Sequence, residues 1–175
     1  MKNQLIAAVL LVSSALAQAV PDALRQGGAD WTRWGSGEMS WFGFSLYRAT
    51  LWVAARPGAD LTADVPTALQ LDYQRDIPRD RLVQASLDEM RRLGASDTQL
   101  LRWEGDLSRI FPDVKEGESI VGVHYPGRGA SFFHRGQASG EIADAEFARL
   151  FFAIWLDPRS SRPGLRAALL ERPAL

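Results

Sequence analysis

The two histidines have the clearest capacity for chemistry, because imidazole titrates near neutral pH and binds metals. His124 and His134 flank residues 126–129 (PGRG), which predict a hairpin loop. If that loop closes symmetrically about residue 128 or 129, the two imidazoles lie nearly opposite each other on one face of a sheet. Two ligands do not complete a metal site, and no third ligand has a suitable spacing. We therefore predict two ordinary histidines, no metal site and no cofactor.

Acid–base catalysis would need polar side chains that converge on one cleft. Tyr47, Tyr73 and Arg48 are the candidates for such a set, and the hypothesis fails if they project to different faces. Carboxylate pairs such as Asp88-Glu89 stand where capping and solvation explain them. The chain has no cysteine, and it lacks the G-x-S-x-G, H-E-x-x-H and phosphate-binding loop motifs. These residues and motifs alone assign no catalytic residue.

Aromatic side chains are the second set of candidates. Six tryptophans and eight phenylalanines are enough to line a hydrophobic cleft as well as a core. Any single ring is more often simply part of the core. Five rings are our candidates for ligand binding: Trp41, Tyr47, Tyr73, Trp103 and Phe151. The two tyrosines matter most, because each joins a ring to a hydroxyl that can orient a polar head group.

Strands must position the tyrosines. The run 39–55 is rich in aromatic and β-branched residues, which predicts one long strand or two strands with a bend, with Gly43 as a candidate bulge. Residues 68–77 alternate between apolar and polar types, which predicts a half-buried strand that Pro78 ends. Further strands are predicted at residues 119–125, 130–135 and 139–142.

Helical spacing and capping residues predict four helices. The apolar residues of 82–93 form one stripe. Ser96 and Gln99 match a capping box that begins a second helix. Asp144 can cap a third helix, and a short fourth helix covers residues 164–170. Strands and helices are segregated along the chain, which indicates an α+β fold: a large antiparallel sheet with helices on one face.

The N-terminal residues 1–19 have the pattern of a cleavable secretion signal. Lys2 precedes an apolar run at residues 5–12, which is too short to span a bilayer because a span needs about 20 residues. Small residues follow, with A-x-A cleavage sites at 15–17 and 17–19. A buried first helix or a retained membrane anchor is the alternative. We expect a periplasmic or secreted protein.

The remainder is long enough for one domain. We expect residues 20–30 to form a lead-in and residues 31–175 to form the domain. The formal net charge of −1 gives no reason to expect nucleic acid or an anionic membrane as a partner, and no later segment resembles a transmembrane helix. We therefore expect no stable membrane insertion after cleavage of the signal, and the oligomeric state stays open.

Four strings of residues resemble the bacterial chalcone isomerase-like proteins, which are exported relatives of the plant chalcone isomerases and fatty-acid-binding proteins. The strings are GSGEMSWFGFSLYRATLW (35–52), ALQLDYQRDIP (68–78), FPDVKEGESIVGVHYPGRG (111–129) and FARLFFAIWLDPRSSRPGLRAALL (147–170). Together they cover most of residues 31–170 in the right order. The resemblance implies the open-faced β-sandwich of that family, with a layer of helices over one face of the sheet.

The same resemblance bears on function. In the plant enzymes an arginine near the start of the long strand pair binds the reacting phenolate, and a threonine lies on the late helix. The resemblance places Met39 and Ile154 at or near these positions, so it implies that two polar groups of a cyclase are replaced by apolar ones. We therefore expect a non-catalytic protein that binds a small apolar or fatty-acid-like ligand, or a partner protein.

Two alternatives stay open. The first is an isomerase or cyclase that uses Tyr47, Tyr73 and Arg48 as a non-standard polar set. The second is a structural or assembly protein of the cell envelope, which would expose a contiguous apolar patch of several hundred Å².

Overall fold

Six antiparallel strands form one sheet in which the spatial order is the chain order. The computed structural model of the chain describes residues 19–25, 28–56, 61 and 64–171, so the predicted secretion signal lies outside the described residues except for Ala19. The strands are β1 (Thr32–Trp41), β2 (Phe44–Val53), β3 (Thr67–Tyr73), β4 (Ser119–Tyr125), β5 (Gly129–His134) and β6 (Gln137–Ile142). The helices are α1 (Asp22–Arg25), α2 (Arg79–Arg92), α3 (Asp97–Ile110), α4 (Ala145–Leu156) and α5 (Pro163–Leu170). The predicted α+β class is confirmed.

The aromatic run that predicted one or two strands forms a hairpin. β1 begins at Thr32, earlier than predicted, and Trp41 pairs directly with Phe44 across a two-residue turn. Gly43 has φ +80° and belongs to this turn, so the prediction of a bulge at Gly43 is wrong. The shifts in register lie within β1, between Arg33 and Ser36 and between Met39 and Ser40.

Alternation along β3 separates the two faces of the sheet. Leu69, Leu71 and Tyr73 belong to the main core under the helices, because side chains two apart in a strand point to the same face. Ala68 lies between them in sequence and belongs to a smaller cluster on the other face, together with Trp52 and Val121.

Capping residues begin α3 and α4 where the sequence predicted. The Ser96 hydroxyl accepts from the Gln99 backbone N–H, and the Gln99 side chain accepts in return from the Ser96 backbone, which forms the capping box of α3. Asp144 accepts from the backbone N–H groups of Glu146 and Phe147 at the start of α4. These caps satisfy amide groups that a helix leaves unpaired at its first turn.

The segment predicted as a lead-in contains the short helix α1. Ala23 and Leu24 of this helix are buried in the smaller cluster, against Trp52 and neighbouring residues of the central strands. The N-terminal segment therefore covers part of the face of the sheet that lies away from the other helices.

Two glycines allow α5 to lie directly on the edge strand β1. A side chain at Gly35 would collide with the backbone of Ala168 and Leu169, and one at Gly37 would come within 2.8 Å of the Leu165 side chain. The Trp34 indole donates to the carbonyl oxygen of Leu170 at 3.3 Å on the same interface. This close approach fixes Arg162, the N-cap of α5, near the end of the β1–β2 hairpin.

Candidate ligand-binding cavity

A cavity of about 570 Å³ lies between the sheet and helices α2 and α4. Its size is within the range of small-molecule sites. Leu69 and Leu71 of β3, Phe132 of β5 and Phe151 of α4 contribute to a lining that is mostly apolar. The sheet provides one wall and the helix layer the other, so the cavity replaces part of the core that would join the two layers.

Three phenylalanines close the inner end of the cavity. Phe111, Phe132 and Phe151 are buried and pack edge to face, with ring centroids 5.3 to 6.1 Å apart. The exposed lining residues, among them Trp41 and Arg75, mark the mouth. The cavity therefore runs from an aromatic floor to an opening beside the β1–β2 hairpin.

Tyr47 and Tyr73 stand side by side in the wall. They are direct partners across β2 and β3, and their rings meet edge to face with centroids 5.9 Å apart. Directly paired residues share a face of the sheet, and here that face is the one under the helices.

Both tyrosines are neutral and can donate hydrogen bonds. Burial raises the pKa of Tyr47 to about 12, and it raises the pKa of Tyr73 further, with a smaller contribution from Tyr47. The Tyr47 oxygen accepts from the Trp155 indole at 3.1 Å, which leaves its own proton to point elsewhere. The Tyr73 hydroxyl has no hydrogen-bond partner among the described residues.

The buried polar side chains of the described residues are all paired. In the part of the chain that the structure describes, no buried side-chain nitrogen or oxygen lacks a partner. Because the Tyr73 oxygen has no partner and is not among such buried atoms, it opens onto the cavity. Two hydroxyl protons are thus available to an acceptor oxygen of a bound molecule.

Four of the five predicted rings line this cavity: Trp41, Tyr47, Tyr73 and Phe151. Trp103 lies outside it. Its indole is fully buried against Phe147, with centroids 5.5 Å apart, and donates to Asp144 Oδ2 at 3.1 Å. Trp103 therefore ties α3 to the cap of α4 and fills the core.

Among the cavity residues that sequence reasoning missed, Trp155 and Arg162 bear most directly on the polar groups of the site. Trp155 follows Phe151 by one turn of α4 and orients Tyr47, so the i,i+4 spacing from Phe151 could have found it. Arg162 lines the mouth, with its guanidinium carbon 5.0 Å from the centroid of the Trp41 ring. No local signal marks Arg162, because its position depends on the packing of α5 against β1.

Arg48 lies on the opposite face of the sheet from the two tyrosines. Its guanidinium donates to Glu38 at 2.6 Å, and it follows Tyr47 directly in β2, so the two side chains point to opposite faces. The hypothesis of a catalytic set formed by Tyr47, Tyr73 and Arg48 is wrong, because these side chains do not converge. Met39 and Ile154, at or near the polar positions of the plant enzymes according to the resemblance, both line the cavity.

The prediction that the two histidines lie opposite each other is also wrong. Tyr125 pairs with Gly129, so the β4–β5 hairpin closes about residue 127, and His124 lies opposite Ala130. His134 is four residues further along the strand, or about 13 Å away. No group of three or more metal-binding side chains is present in the described ranges.

Each histidine has a local role. His124 stacks on Phe152 with ring centroids 5.0 Å apart, and burial lowers the pKa of His124. His134 Nε2 lies 2.9 Å from Glu118 Oε2, and this contact holds the pKa of Glu118 below its usual value. Neither imidazole lines the cavity.

The open sheet, its single layer of long helices and the cavity between them define an open-faced α+β sandwich with an internal apolar site. A family model described as chalcone isomerase-like matches residues 14–171. The chain belongs to the chalcone isomerase-like family. No curated protein sequence matches the chain significantly.

Among solved structures, a fatty-acid-binding protein of Arabidopsis thaliana is similar in fold, with a TM-score of 0.65. The two share 13% sequence identity over 82% of this chain and 88% of the plant chain. At this identity the similarity concerns the fold. None of the helices in the described part of the chain has the length and apolar character needed to cross a membrane.

Proposed function

We propose that this protein is an exported, non-catalytic binding protein that holds a small apolar or fatty-acid-like ligand in the cavity. The observation that carries the proposal is an apolar space of about 570 Å³ in which two neutral tyrosine hydroxyls have protons to donate. An apolar site with a few placed polar groups is the usual composition of a small-molecule site.

The shape of the cavity suggests how such a ligand would lie. An alkyl chain would pack against the floor formed by Phe111, Phe132 and Phe151. Its polar end would accept hydrogen bonds from Tyr47 and Tyr73, with the Arg162 guanidinium near the mouth. A carboxylate, carbonyl or hydroxyl oxygen meets this requirement.

Two further observations support the proposal. The Arabidopsis thaliana protein of similar fold is a fatty-acid-binding protein. In this chain, Met39 and Ile154 give the cavity apolar groups at or near the positions where the resemblance leads one to expect the polar groups of a cyclase. An intramolecular cyclisation would need polar groups that converge on the reacting atoms, and Arg48 of the predicted polar set lies outside the cavity that Tyr47 and Tyr73 line.

Export is proposed from the sequence of residues 1–19. A positive residue, a short apolar run and two A-x-A sites are typical of a signal that a peptidase removes. The chain also contains no cysteine, so in an oxidising compartment it would hold its fold by packing alone.

Filling the cavity tests the proposal directly. Ile154→Trp places an indole in the lining, while Leu101→Trp adds the same group at an exposed site on α3. We expect the unmodified protein and Leu101→Trp to bind a fluorescent fatty-acid analogue that dodecanoate displaces. Ile154→Trp should lose at least about tenfold in affinity, because it removes most of the apolar surface available to the chain of the ligand.

The two variants must first show the same far-UV circular dichroism as the unmodified protein. Equal affinity in all three folded proteins would place any bound fatty acid outside the cavity and would overturn the proposal. Native mass spectrometry of the purified protein would add the identity of a retained ligand.

A further inference from the structure

The turn between β1 and β2 exposes three aromatic side chains next to the mouth of the cavity. Trp41 is 52% exposed, Phe42 87% and Phe44 61%. The described part of the chain has one other large exposed hydrophobic residue, Leu101 at 72%. We call Trp41, Phe42 and Phe44 the aromatic tip.

The conformation of Phe42 does not suit its side chain. Phe42 has φ +47° and Gly43 has φ +80°, which is the pattern of a type I′ turn. The first position of that turn favours asparagine or glycine, because a left-handed conformation brings the Cβ of other residues too close to the backbone. Folding alone would therefore favour a different residue here, and exposure of the ring to water is a second cost. A strained, exposed ring of this kind points to a contact outside the folded chain.

Two arginines lie beside the tip. The Arg162 guanidinium carbon is 5.0 Å from the centroid of the Trp41 ring, and that of Arg75 is 5.1 Å from the centroid of the Phe44 ring. Both arginines line the mouth of the cavity. Within the described residues, no carboxylate lies in salt-bridge distance of either guanidinium, so both charges are available to an anionic group.

We propose that the aromatic tip docks reversibly on the surface of a phospholipid bilayer, so that the cavity opens towards the membrane. Indole and phenyl rings are favoured at the interface between head groups and acyl chains, and guanidinium groups pair with phosphate oxygens. The proposal rests on the proposed function, because a docked mouth would let an apolar ligand pass between bilayer and cavity without crossing water.

The area of the tip favours a bilayer over a protein partner. At roughly 200 Å² per ring, the exposed parts of the three side chains amount to about 400 Å². A stable protein interface buries about 800 Å² on each side. Shallow insertion of a few rings beside positive charges is sufficient for reversible membrane binding. The overall net charge of the chain does not reveal this local arrangement.

Phe42→Asn separates docking from folding. It removes one ring of the tip and creates the Asn-Gly pair that a type I′ turn favours, so we expect a melting temperature equal to or above that of the unmodified protein. In sedimentation with vesicles of phosphatidylethanolamine and phosphatidylglycerol, we expect at least about a tenfold loss of vesicle affinity, because the variant lacks a Phe ring that docking would bury in the bilayer. Leu101→Asn removes an exposed apolar side chain elsewhere and should sediment with vesicles like the unmodified protein.

A second measurement separates this proposal from the proposed function. In solution, without vesicles, Phe42→Asn should bind the fluorescent fatty-acid analogue with unchanged affinity. Absence of probe binding in the unmodified protein would contradict the cavity proposal. Membrane docking is tested separately, because vesicle sedimentation is measured without the probe.

Three results would overturn membrane docking. The first is that the unmodified protein does not sediment with the vesicles, and the second is that Phe42→Asn sediments to the same extent as the unmodified protein. The third is a dimer in light scattering that Phe42→Asn converts to a monomer, which would assign the tip to a second copy of this chain.

Discussion

The two tyrosines of the cavity differ in what their hydroxyls do for the folded protein. Tyr47 accepts from the Trp155 indole at 3.1 Å, whereas the Tyr73 hydroxyl faces the cavity without a partner among the described residues. The Tyr47 hydroxyl therefore stabilises the wall of the cavity, whereas the Tyr73 hydroxyl is available to a bound ligand.

Removing each hydroxyl should separate these roles. Tyr47→Phe leaves the Trp155 N–H without its acceptor, so we expect a loss of about 1–2 kcal/mol in the free energy of unfolding. Tyr73→Phe breaks no internal hydrogen bond and should change that free energy by less than about 0.5 kcal/mol. Both variants should bind dodecanoate more weakly, by about three- to tenfold, because each loses one hydrogen bond to the ligand. Urea unfolding and probe displacement measure the two effects, and equal stability of the two variants would contradict the difference in roles.

His124 should make stability depend on pH. Its half-buried ring stacks on Phe152, and burial lowers the pKa of His124 below its ordinary value of 6.5. The unfolded chain therefore binds a proton more readily than the folded protein does, so this contribution to stability is present above pH 6.5 and is lost as the pH falls below it.

His124→Phe keeps an aromatic ring and removes the proton site. We expect its free energy of unfolding to fall less than that of the unmodified protein between about pH 6.5 and pH 5. Urea unfolding at a series of pH values measures this difference. Parallel pH profiles would show that His124 is equally easy to protonate in the folded and unfolded chains.

At the scale of elements, the close packing of α5 on β1 depends on glycine. Gly35→Ala would bring its Cβ into the backbone of Ala168 and Leu169, so α5 must move away from the strand. We expect a loss of about 1–3 kcal/mol in the free energy of unfolding, as for other overpacked sites. Since α5 begins beside Arg162, the affinity for the fatty-acid probe should fall as well.

Gly105→Ala is the matched control for this substitution. Gly105 lies in α3, and a Cβ there would meet only the end of the Arg109 side chain at 3.9 Å. Alanine in a helix is favoured over glycine by about 1 kcal/mol. Gly105→Ala should therefore raise the free energy of unfolding, whereas Gly35→Ala should lower it. Both values come from urea unfolding; a stable Gly35→Ala variant would show that α5 is not held at this distance from β1.

The long helices and the central strands could be predicted from the sequence because their signals are local. The capping box at Ser96 and the alternation about Leu69 act within a few residues, and both are present in the structure. The β4–β5 register was not predictable in this way, because the chain offers two glycines near the turn. Gly127 has φ +73° and forms the turn, while Gly129 stays in β5, where a side chain would collide with the backbone of Ile142.

For the candidate site, the sequence could identify rings but could not fully separate cavity from core. Tyr47 and Tyr73 follow from alternation within their strands. Trp103 lies on the apolar stripe of α3 just as Phe151 lies on that of α4, and only the spacing of the layers places one in the core and the other at the cavity. The position of Arg162 at the mouth could not be predicted either, because it depends on the contact of α5 with β1.

At the scale of the whole molecule, the sheet is covered unequally on its two faces. The helix layer and the cavity lie on one side, and the smaller cluster around Trp52 lies on the other. The segregation of strands and helices in the sequence was enough to predict the first layer. It could not predict the second cover, because α1 is only four residues long and has no periodic pattern.

That second cover sets a limit on how far the protein can be trimmed. Removal of the proposed signal would leave α1 in place, with Leu24 still seated over the central strands. A recombinant protein that begins at Trp31 would lack α1, so Trp52, Ala68 and Val121 would be exposed to water. Exposed apolar surfaces of this kind associate with one another. Aggregation of the shortened protein would therefore reflect the loss of α1 and not a defect in the ligand site.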